Sequence, residues 1–478
     1  METMFIDGCR VAASDGSTFV TVNPASGKQI AEVPEATASD VDAAVSAATR
    51  AFESHAWRGL TPPARARLMF KAADLIEQHA DELAQLETLD QGQPLSLSGG
   101  LALPMVIELF RYFGGWVTKI SGVSVDIGVP DMDFRTRREP LGVVGLITAW
   151  NFPLMVLALK LAPALAAGNT VVIKPAEQTP LSTLRLAELL EEAGFPDGVI
   201  NVVTGGPNVG RALVEHPNVA KISFTGSTEV GREIAATAGR NLKRVSLELG
   251  GKAPSIVTAD ADIDAAVAGN LQGGLLNSGQ VCAAYTRIYV HRNRIAEFSE
   301  KMAFGAGSMA LGSGLEPTTQ LGPLVSMTQL ESVHRYVELG VSEGATMLTG
   351  GRRADGDLAD GYFYCPTIFT DVEDSMTIAR EEIFGPVLSV LAYDDTDELI
   401  ERANATNYGL AAVIWSQDLS LANRLARGIR AGTVYLNTPP YLDPAAPWGG
   451  FKDSGLGREN GWEAIEDFTE VKSIWTRL

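Results

Sequence analysis

The chain has 478 residues, of which 46% are hydrophobic and 20% are charged, fractions that exclude a disordered, collagen-like or coiled-coil chain. Its 58 acidic residues outnumber the 38 Lys and Arg residues, for a formal net charge of −20, which disfavours nucleic acids and anionic membrane surfaces as partners because like charges repel. At about 150 residues per domain, this length corresponds to roughly three domain-sized units.

The chain opens with METMFIDGCR, which lacks the basic start and apolar core of a signal peptide. We therefore expect a cytoplasmic protein. Short runs follow, in which Asp7-Gly8 and Ser26-Gly27 are predicted hairpin turns. Ser39 is predicted to cap a helix that runs through Phe52, and Pro63 to open the next helix.

From Leu141 onward, apolar strands alternate with helical patterns. No uninterrupted apolar run reaches the roughly 20 residues of a membrane span, since the most apolar stretch, 141–168, contains a lysine, an asparagine and two prolines. The alternation predicts an α/β fold with a parallel sheet covered by helices on both faces. Ligands bind at the carboxyl ends of such strands. The predicted strands are LGVVGLITA, VVIKPA, VINVV, AKISF and VSLEL.

A second alternating stretch follows a Gly-Gly break near Gly250, and we interpret it as a second α/β domain. A helix is predicted over 295–309, strands near Ile368 and over 388–392, and a helix over 398–405.

Cys282 lies in the polar, glycine-bounded segment NSGQVCAAYT. The three cysteines, Cys9, Cys282 and Cys365, are too few and too scattered for a disulfide framework or a clustered metal site. A free cysteine is most often a small buried hydrophobic residue. The setting of Cys282 also allows another molecule to approach closely, so that an activated thiol there could act as a nucleophile.

Glu248 stands at the carboxyl end of the strand VSLEL, where a ligand would bind and a base would be useful. A solvated strand terminus explains it equally well. Asn151 follows the strand LGVVGLITA and precedes Pro153. It can either cap the next helix or direct its amide at an oxyanion.

Two further strand ends suggest a nucleotide. Gly226 and Ser227 lie between a strand and a helix, where backbone N–H groups and the helix dipole could receive a pyrophosphate. Lys174 and Glu177 leave another strand together and could face ribose hydroxyls. A helix cap at Ser227 and solvated loop charges are the simpler alternatives for each residue taken alone.

Taken together, seven motifs resemble the NAD(P)-dependent aldehyde dehydrogenase superfamily, in its order and approximate spacing, across essentially the whole chain. The motifs are WNFP from Trp150, KPAEQTP from Lys174, FTGSTEVG from Phe224, LELGGK from Leu247, GQVC ending at Cys282, EEIFGPV from Glu381, and WGGFKDSGLGRE ending at Glu459.

The resemblance implies a Rossmann-like cofactor domain over 1–120 and 141–249 and an α/β catalytic domain over 250–453. It also implies a small β oligomerisation element, built from a hairpin near 121–140 and the C-terminal residues 466–478, which would make a homodimer or homotetramer.

The resemblance also implies a role for each matching residue. Cys282 would be the nucleophile and Glu248 the general base, with the Asn151 side chain and the Cys282 backbone N–H forming an oxyanion hole. Lys160 and Glu459 match positions in a proton path from the base. The cofactor-binding residues implied are Ile147, Trp150, Lys174, Glu177, Gly206, Gly210, Phe224, Gly226, Ser227, Leu249, Glu382 and Phe384.

The implied activity is oxidation of an aldehyde to the acid through a cysteine thiohemiacetal and thioester. NAD is favoured over NADP because Glu177 would repel a 2′-phosphate, although Lys174 could partly offset that repulsion. Alignment with the family places Phe152, Met155, Val156, Leu159, Tyr285, Leu442 and Trp448 in the substrate tunnel. This apolar lining, without an arginine, favours aryl or medium-chain aldehydes over succinic semialdehyde.

The sequence departs from the family pattern at two positions and leaves two other activities open. Ala149 replaces a common proline before Trp150. Trp448, in the segment PWGG, stands where the family usually has phenylalanine or tyrosine after the proline. A CoA-acylating dehydrogenase would use the same cysteine but typically lacks the base that Glu248 supplies. A cofactor-independent cysteine esterase would need a histidine partner, and none of the five histidines lies in a motif around Cys282.

Overall fold

The computed structural model describes residues 2–478 and contains two large sheets with helices between their strands. The strands are β1 (Met4–Ile6), β2 (Cys9–Val11), β3 (Thr18–Asn23), β4 (Lys28–Pro34), β5 (Met132–Pro140), β6 (Val143–Ile147), β7 (Thr170–Lys174), β8 (Ile200–Val202), β9 (Lys221–Thr225), β10 (Arg244–Glu248), β11 (Ala253–Val257), β12 (Tyr285–His291), β13 (Thr346–Thr349), β14 (Thr367–Thr370), β15 (Val387–Tyr393), β16 (Ala411–Trp415), β17 (Thr433–Leu436), β18 (Gly455–Leu456) and β19 (Thr469–Arg477).

The helices range from single turns to sixteen or seventeen residues. They are α1 (Ala38–Glu53), α2 (His55–Arg58), α3 (Pro62–Gln78), α4 (Ala80–Gln91), α5 (Leu95–Leu97), α6 (Leu103–Trp116), α7 (Pro153–Ala167), α8 (Leu181–Ala193), α9 (Pro207–Glu215), α10 (Thr228–Arg240), α11 (Ile263–Leu275), α12 (Ile295–Gly307), α13 (Met327–Ser342), α14 (Thr377–Arg380), α15 (Thr396–Asn404), α16 (Leu419–Gly428) and α17 (Gly461–Asp467). Among the described residues, no helix combines the length and the apolar character needed to cross a bilayer.

The first sheet has eight strands in the order β18-β10-β9-β6-β7-β8-β1-β2. The five central strands, which are β10, β9, β6, β7 and β8, run parallel to one another. The flanking strands β18, β1 and β2 each pair with their neighbour in antiparallel orientation. Every residue of β6 and β7 is buried, as expected for parallel strands covered on both faces. The predicted α/β class is confirmed.

The second sheet has seven strands in the order β13-β14-β15-β12-β11-β16-β17, of which only β13 runs antiparallel to its neighbour. The chain passes from the first sheet to the second between Glu248 and Ala253. It returns through β18, which pairs with β10 so that Gly455 lies opposite Glu248. The end of β10 therefore lies where the two sheets meet.

A separate two-stranded ribbon pairs β5 with β19 in antiparallel register from Met132–Arg477 to Pro140–Thr469. The segment before β5 contributes two backbone bonds, from the Val125 N–H to the Phe134 carbonyl at 3.3 Å and from the Thr136 N–H to the Val123 carbonyl at 2.8 Å. Only one arm of the predicted hairpin is thus a regular strand, and its main partner is the C-terminal strand.

The predicted N-terminal turns form, but two helix starts differ from the prediction. Asp7 and Gly8 both adopt left-handed backbone angles, with φ of 54° and 73°, as a two-residue hairpin turn requires. Helix α1 is capped by Thr37 rather than Ser39, because the Thr37 side chain accepts the Asp40 N–H while the Asp40 carboxylate accepts the Thr37 N–H. Helix α3 begins one residue before Pro63.

Candidate active site

One cavity of about 420 Å³ at the junction of the two sheets gathers most of the predicted site residues. Its lining includes carboxylate, amide and thiol side chains within an otherwise largely apolar wall. The predicted residues that line it are Asn151, Glu248, Cys282 and Glu459, together with Trp150, Gly226, Ser227, Leu249, Glu382 and Phe384, and Phe152, Met155, Val156, Leu159, Leu442 and Trp448.

Cys282 is presented to the cavity by an irregular loop between α11 and β12. Asn277, Ser278 and Gly279 all adopt left-handed backbone angles, with φ of 49°, 56° and 73°. A Cβ atom at position 279 would lie 2.1 Å from the Gly385 carbonyl oxygen, so glycine is required there. Such strained backbone persists only when surrounding contacts fix it.

The side chains of the loop supply those contacts. Gln280 donates from its Nε2 to the Asn277 carbonyl at 3.0 Å and accepts the Val325 N–H at its Oε1 at 2.9 Å. The Ser278 hydroxyl donates to the Gly322 carbonyl at 2.6 Å. The cysteine therefore projects from a rigid loop.

Burial raises the pKa of the Cys282 thiol, and the Glu382 and Glu248 carboxylates raise it further. The backbone N–H groups of Ala283 and of Cys282 itself oppose this rise. At neutral pH the resting sulfur is therefore a neutral thiol, and attack on a substrate requires a base to take its proton.

Asn151 does not cap the helix that follows it. Helix α7 has Phe152 as its N-cap residue, with no side-chain capping bond. The Asn151 side chain is buried, and its Nδ2 donates to the Gln280 carbonyl at 3.0 Å. An amide nitrogen carries two hydrogens, so one N–H remains for a ligand in the cavity.

Glu248 ends β10 with both carboxylate oxygens buried and without a hydrogen-bond partner among residues 2–478. Burial raises its pKa well above the ordinary value, and nearby Glu459 adds to this rise while Lys160 opposes it. A buried carboxyl group with a raised pKa and no partner is suited to exchange a proton with a ligand in the cavity.

Lys160 and Glu459 form a buried ion pair beside this carboxyl group, with side chains 0% and 6% exposed. Glu459 lines the cavity, whereas Lys160 lies behind it on α7. The two residues predicted for a proton path are therefore in direct contact.

The strand ends beside the cavity have the features of a dinucleotide site. Ser227 caps α10, a helix of thirteen residues, and its hydroxyl accepts the Val230 N–H at 3.3 Å. Because Gly226 and Ser227 line the cavity, the start of this helix faces it. The adjacent Thr225 hydroxyl is buried and has no partner among the described residues. Together with the helix dipole, these groups fit a pyrophosphate. The Phe224 ring lies under Gly226, 2.4 Å from where a Cβ would be.

Glu382 and Phe384 also line the cavity. Glu382 accepts the Gly251 N–H at 2.9 Å, and burial raises its pKa to about 7. Phe384 has a left-handed φ of 54° and meets the Trp150 ring edge-on, with centroids 5.1 Å apart. These residues fit the ribose and flat ring of a nucleotide.

The remaining predicted cofactor residues lie outside the lining of this cavity. Lys174 and Glu177 form an ion pair at 3.2 Å. Ile147 ends β6 opposite Lys174 and Phe224 in the neighbouring strands. Gly206 caps α9 and donates its N–H to Glu35 at 3.0 Å, while Gly210 has open space around it.

Comparison with known proteins decides the family. The profile of the aldehyde dehydrogenase family matches residues 11–474. The chain belongs to the aldehyde dehydrogenase family. It is 47% identical to phenylacetaldehyde dehydrogenase of Pseudomonas fluorescens, covering 98% of this chain and 95% of the relative. It is 44% identical to mitochondrial benzaldehyde dehydrogenase of Antirrhinum majus, covering 100% and 89%.

A solved aldehyde dehydrogenase from Bacillus cereus in complex with NAD+ has the same fold. It superposes with a TM-score of 0.98 at 48% identity, covering 100% of this chain and 97% of the solved chain. The predicted family and fold class are therefore confirmed, and the protein is an NAD(P)-dependent aldehyde dehydrogenase.

One residue assigned to the substrate tunnel of this aldehyde dehydrogenase does not line the cavity. Tyr285 is 0% exposed at the start of β12, and its ring packs against α11, where a Cβ on Gly273 would lie 2.5 Å from it. It follows the catalytic loop by three residues, but the strand directs its side chain into the core.

Two supporting residues of this dehydrogenase escaped the sequence analysis. Gln329 lines the cavity and donates from its Nε2 to the carbonyls of Phe384 at 2.8 Å and Ile383 at 3.1 Å. Gln280 connects the cysteine loop to Asn151. Gln280 stands within the GQVC motif, which was the available signal, whereas nothing local marks Gln329.

Proposed function

We propose that this aldehyde dehydrogenase oxidises apolar aldehydes, aryl or medium-chain, to carboxylic acids with NAD, through a thiohemiacetal and a thioester on Cys282. The observation that carries this proposal is that a thiol, an unpartnered carboxyl group and a free amide N–H line one largely apolar cavity. This is the set of groups that the chemistry requires.

In the first step, Cys282 gives up its proton and its sulfur attacks the aldehyde carbon. A water molecule in the cavity takes this proton, so that this step does not require Glu248, whose role lies in the hydrolysis. The oxyanion that forms accepts the free N–H of Asn151 and the backbone N–H of Cys282. Each fixed donor of this kind stabilises the developing charge by about 3 to 4 kcal/mol.

When bound, NAD supplies the electron sink that takes a hydride from the thiohemiacetal. The residues that would hold it are those at the start of α10 and the Glu382–Phe384 wall, with Lys174 and Glu177 at the adenosine end. Glu382 and Phe384 line the same cavity as Cys282.

In the last step, Glu248 takes a proton from a water molecule that attacks the thioester. The carbon–sulfur bond then breaks, which releases the carboxylic acid and frees the Cys282 sulfur. Neither Glu248 oxygen is held by a hydrogen bond among the described residues, so the carboxyl group is free to turn toward that water. The Lys160–Glu459 pair beside it offers a path for the proton to leave.

Replacing Asn151 by alanine is expected to lower kcat by on the order of 10², because one of the two oxyanion donors is lost. The dissociation constant of NAD, measured by fluorescence titration, should change little, since the amide bonds the Gln280 carbonyl and lies at the thiol side of the cavity. Loss of cofactor binding with unchanged kcat would instead return Asn151 to a structural role.

NAD is proposed over NADP because of the charge at the adenosine end. The Glu177 side chain is 39% exposed and forms an ion pair with Lys174. A 2′-phosphate beside this carboxylate would meet a like charge, which the single lysine offsets in part.

The substrate class follows from the cavity wall. Met155, Leu159, Leu442 and Trp448 supply apolar surface, and no lysine or arginine among residues 2–478 lines the cavity. The relatives named above include phenylacetaldehyde and benzaldehyde dehydrogenases, which supports an aryl substrate.

A panel of aldehydes read by nicotinamide reduction tests this proposal. We expect kcat/KM for phenylacetaldehyde and hexanal to exceed that for succinic semialdehyde by about 10², because a carboxylate buried without a cationic partner loses several kcal/mol. NAD should support faster turnover than NADP, without added CoA. A preference for succinic semialdehyde, or dependence on CoA, would contradict the proposal.

We further infer that the sheet containing β10 forms the cofactor domain, the sheet containing β12 the catalytic domain, and the β5–β19 ribbon the oligomerisation element. Two strands alone are marginally stable in water. The ribbon nonetheless leaves Val471 and Trp475 49% and 53% exposed. A ribbon that exposes apolar side chains in this way favours a homodimer or homotetramer, and a cytoplasmic location stays a prediction from the sequence.

A further inference from the structure

Helix α7 begins without a cap of its own. Its N-cap residue, Phe152, makes no side-chain bond to the first turn, although the first N–H groups of a helix need acceptors. This helix starts two residues after Asn151 and carries Met155 and Leu159 on the cavity wall. The position of its first turn therefore sets the position of the oxyanion donor.

A carboxylate from a different helix takes the place of the missing cap. Glu87 on α4 is 0% exposed, and its Oε1 accepts the backbone N–H of Leu154 in the first turn of α7 at 2.7 Å. Its Oε2 accepts from Gln93 Nε2 at 2.9 Å, and the Ser182 hydroxyl lies 3.5 Å from Oε1. A negative group at a helix N-terminus is also favoured by the helix dipole.

A buried glutamate is an energetically unfavourable residue at a core position. Burial raises the pKa of Glu87 to about 7, while the hydrogen bonds from Leu154, Gln93 and Ser182 oppose the rise. A buried polar group of this kind destabilises the fold unless its hydrogen bonds compensate. An apolar side chain would pack there more favourably, but it would leave the Leu154 N–H without an acceptor.

The segment from Asn151 to Leu154 is consequently held at both ends. At one end, Asn277 Nδ2 donates to the Asn151 carbonyl at 2.8 Å, and the Asn151 amide donates to Gln280. At the other end, Glu87 holds Leu154. The first contacts come from the loop that carries the nucleophile, and the second comes from outside the cavity, since Glu87 does not line it.

We propose that Glu87 is a positioning residue for aldehyde oxidation, which fixes the Asn151 amide relative to Cys282 by capping helix α7 from the side. The proposal rests on the proposed function, because it requires Asn151 to be an oxyanion donor. It assigns to Glu87 an effect on the rate of the chemical steps that passes through Asn151 and does not involve contact with substrate or cofactor.

A double-mutant cycle tests the proposal on the full-length protein. Glu87→Ala is expected to lower kcat by about tenfold with an unchanged dissociation constant for NAD, since even a displacement of about 1 Å in a reacting group can lower a rate by about 10². Glu87→Gln keeps an oxygen acceptor for Leu154 and should lose less. In an Asn151→Ala background, Glu87→Ala should have almost no further effect on kcat, because the group that it positions is gone.

Thr61→Ala is the matched control. Thr61 caps α3 by accepting the Ala64 N–H, outside the residues that line the cavity. Its loss should lower Tm, as the loss of any helix cap does, and leave kcat unchanged. If Glu87→Ala does not fold, the same cycle with Glu87→Gln decides the question.

Three results would overturn the proposal, and they distinguish its failure from that of the proposed function. An equal loss of kcat from the Glu87 variant in both backgrounds, or a fall in Tm with unchanged kcat, would show that Glu87 is only structural, while the proposed function stands. A wild-type kcat in Asn151→Ala alone would instead remove the oxyanion role itself, and with it the role of Glu87.

Discussion

Replacing Cys282 by serine is expected to lower aldehyde oxidation by about 10⁴ or more, the scale observed when a catalytic nucleophile is removed. The cavity already raises the pKa of the thiol through burial and two neighbouring carboxylates. A serine hydroxyl is much less acidic than a thiol and would meet the same environment, so almost no nucleophilic anion would form. Nicotinamide reduction with phenylacetaldehyde measures the loss directly.

The other two cysteines provide matched controls for this experiment. Cys9 is exposed on β2 and Cys365 is half-buried, and neither lines the cavity. Cys9→Ser and Cys365→Ser should therefore turn over at the wild-type rate. Near-normal turnover by Cys282→Ser would refute the assignment of the nucleophile.

Replacing Glu248 by glutamine is expected to separate the two halves of the reaction. Glutamine keeps the size of the side chain but cannot accept a proton from water, and loss of a general base lowers a rate by about 10² to 10⁴. Because the first half-reaction does not require Glu248, a rapid burst of reduced nicotinamide of about one per active site should precede slow turnover. Stopped-flow absorbance measures both phases.

Glu300→Gln supplies the control for the Glu248 variant. Glu300 is exposed on α12, outside the residues that line the cavity, so its neutralisation should leave burst and steady-state rates unchanged. An unchanged steady-state rate in Glu248→Gln would exclude Glu248 as the base for hydrolysis. Loss of the burst would show that Glu248 is already indispensable for forming the thioester.

Much of the fold could be predicted because its main signals are local. The strands β6 and β7 are continuous apolar runs buried on both faces, and helix α10, between β9 and β10, buries Gly231, Ile234 and Ala238 at helical spacing. Because ligands bind at the carboxyl ends of parallel strands, the ends of β6, β10 and β7 indicated Asn151, Glu248 and Lys174 as candidate site residues. The order of the motifs, rather than any one of them, indicated which chemistry these residues share.

The features that could not be predicted depend on contacts between distant residues. Glu87 and Leu154 are 67 positions apart in the chain, and Asn151 and Gln280 are 129 apart, so no local pattern connects them. The buried position of the Tyr285 ring at the start of β12 could not be predicted either, because alignment with the family gives a position in the sequence and not the direction of a strand side chain. Ser39 was chosen over Thr37 although Thr37, with Asp40 three residues later, fits the reciprocal capping pattern.

The central claim is that Cys282 carries the acyl group between oxidation and hydrolysis, and mass spectrometry of the trapped enzyme tests it most directly. Glu248→Gln is mixed with phenylacetaldehyde and NAD, quenched in acid within the burst and digested. The account predicts that the peptide containing Cys282 gains the mass of one phenylacetyl group, and that the peptides containing Cys9 and Cys365 gain none. A burst of reduced nicotinamide with no adduct on Cys282, or with the adduct on another residue, would contradict it.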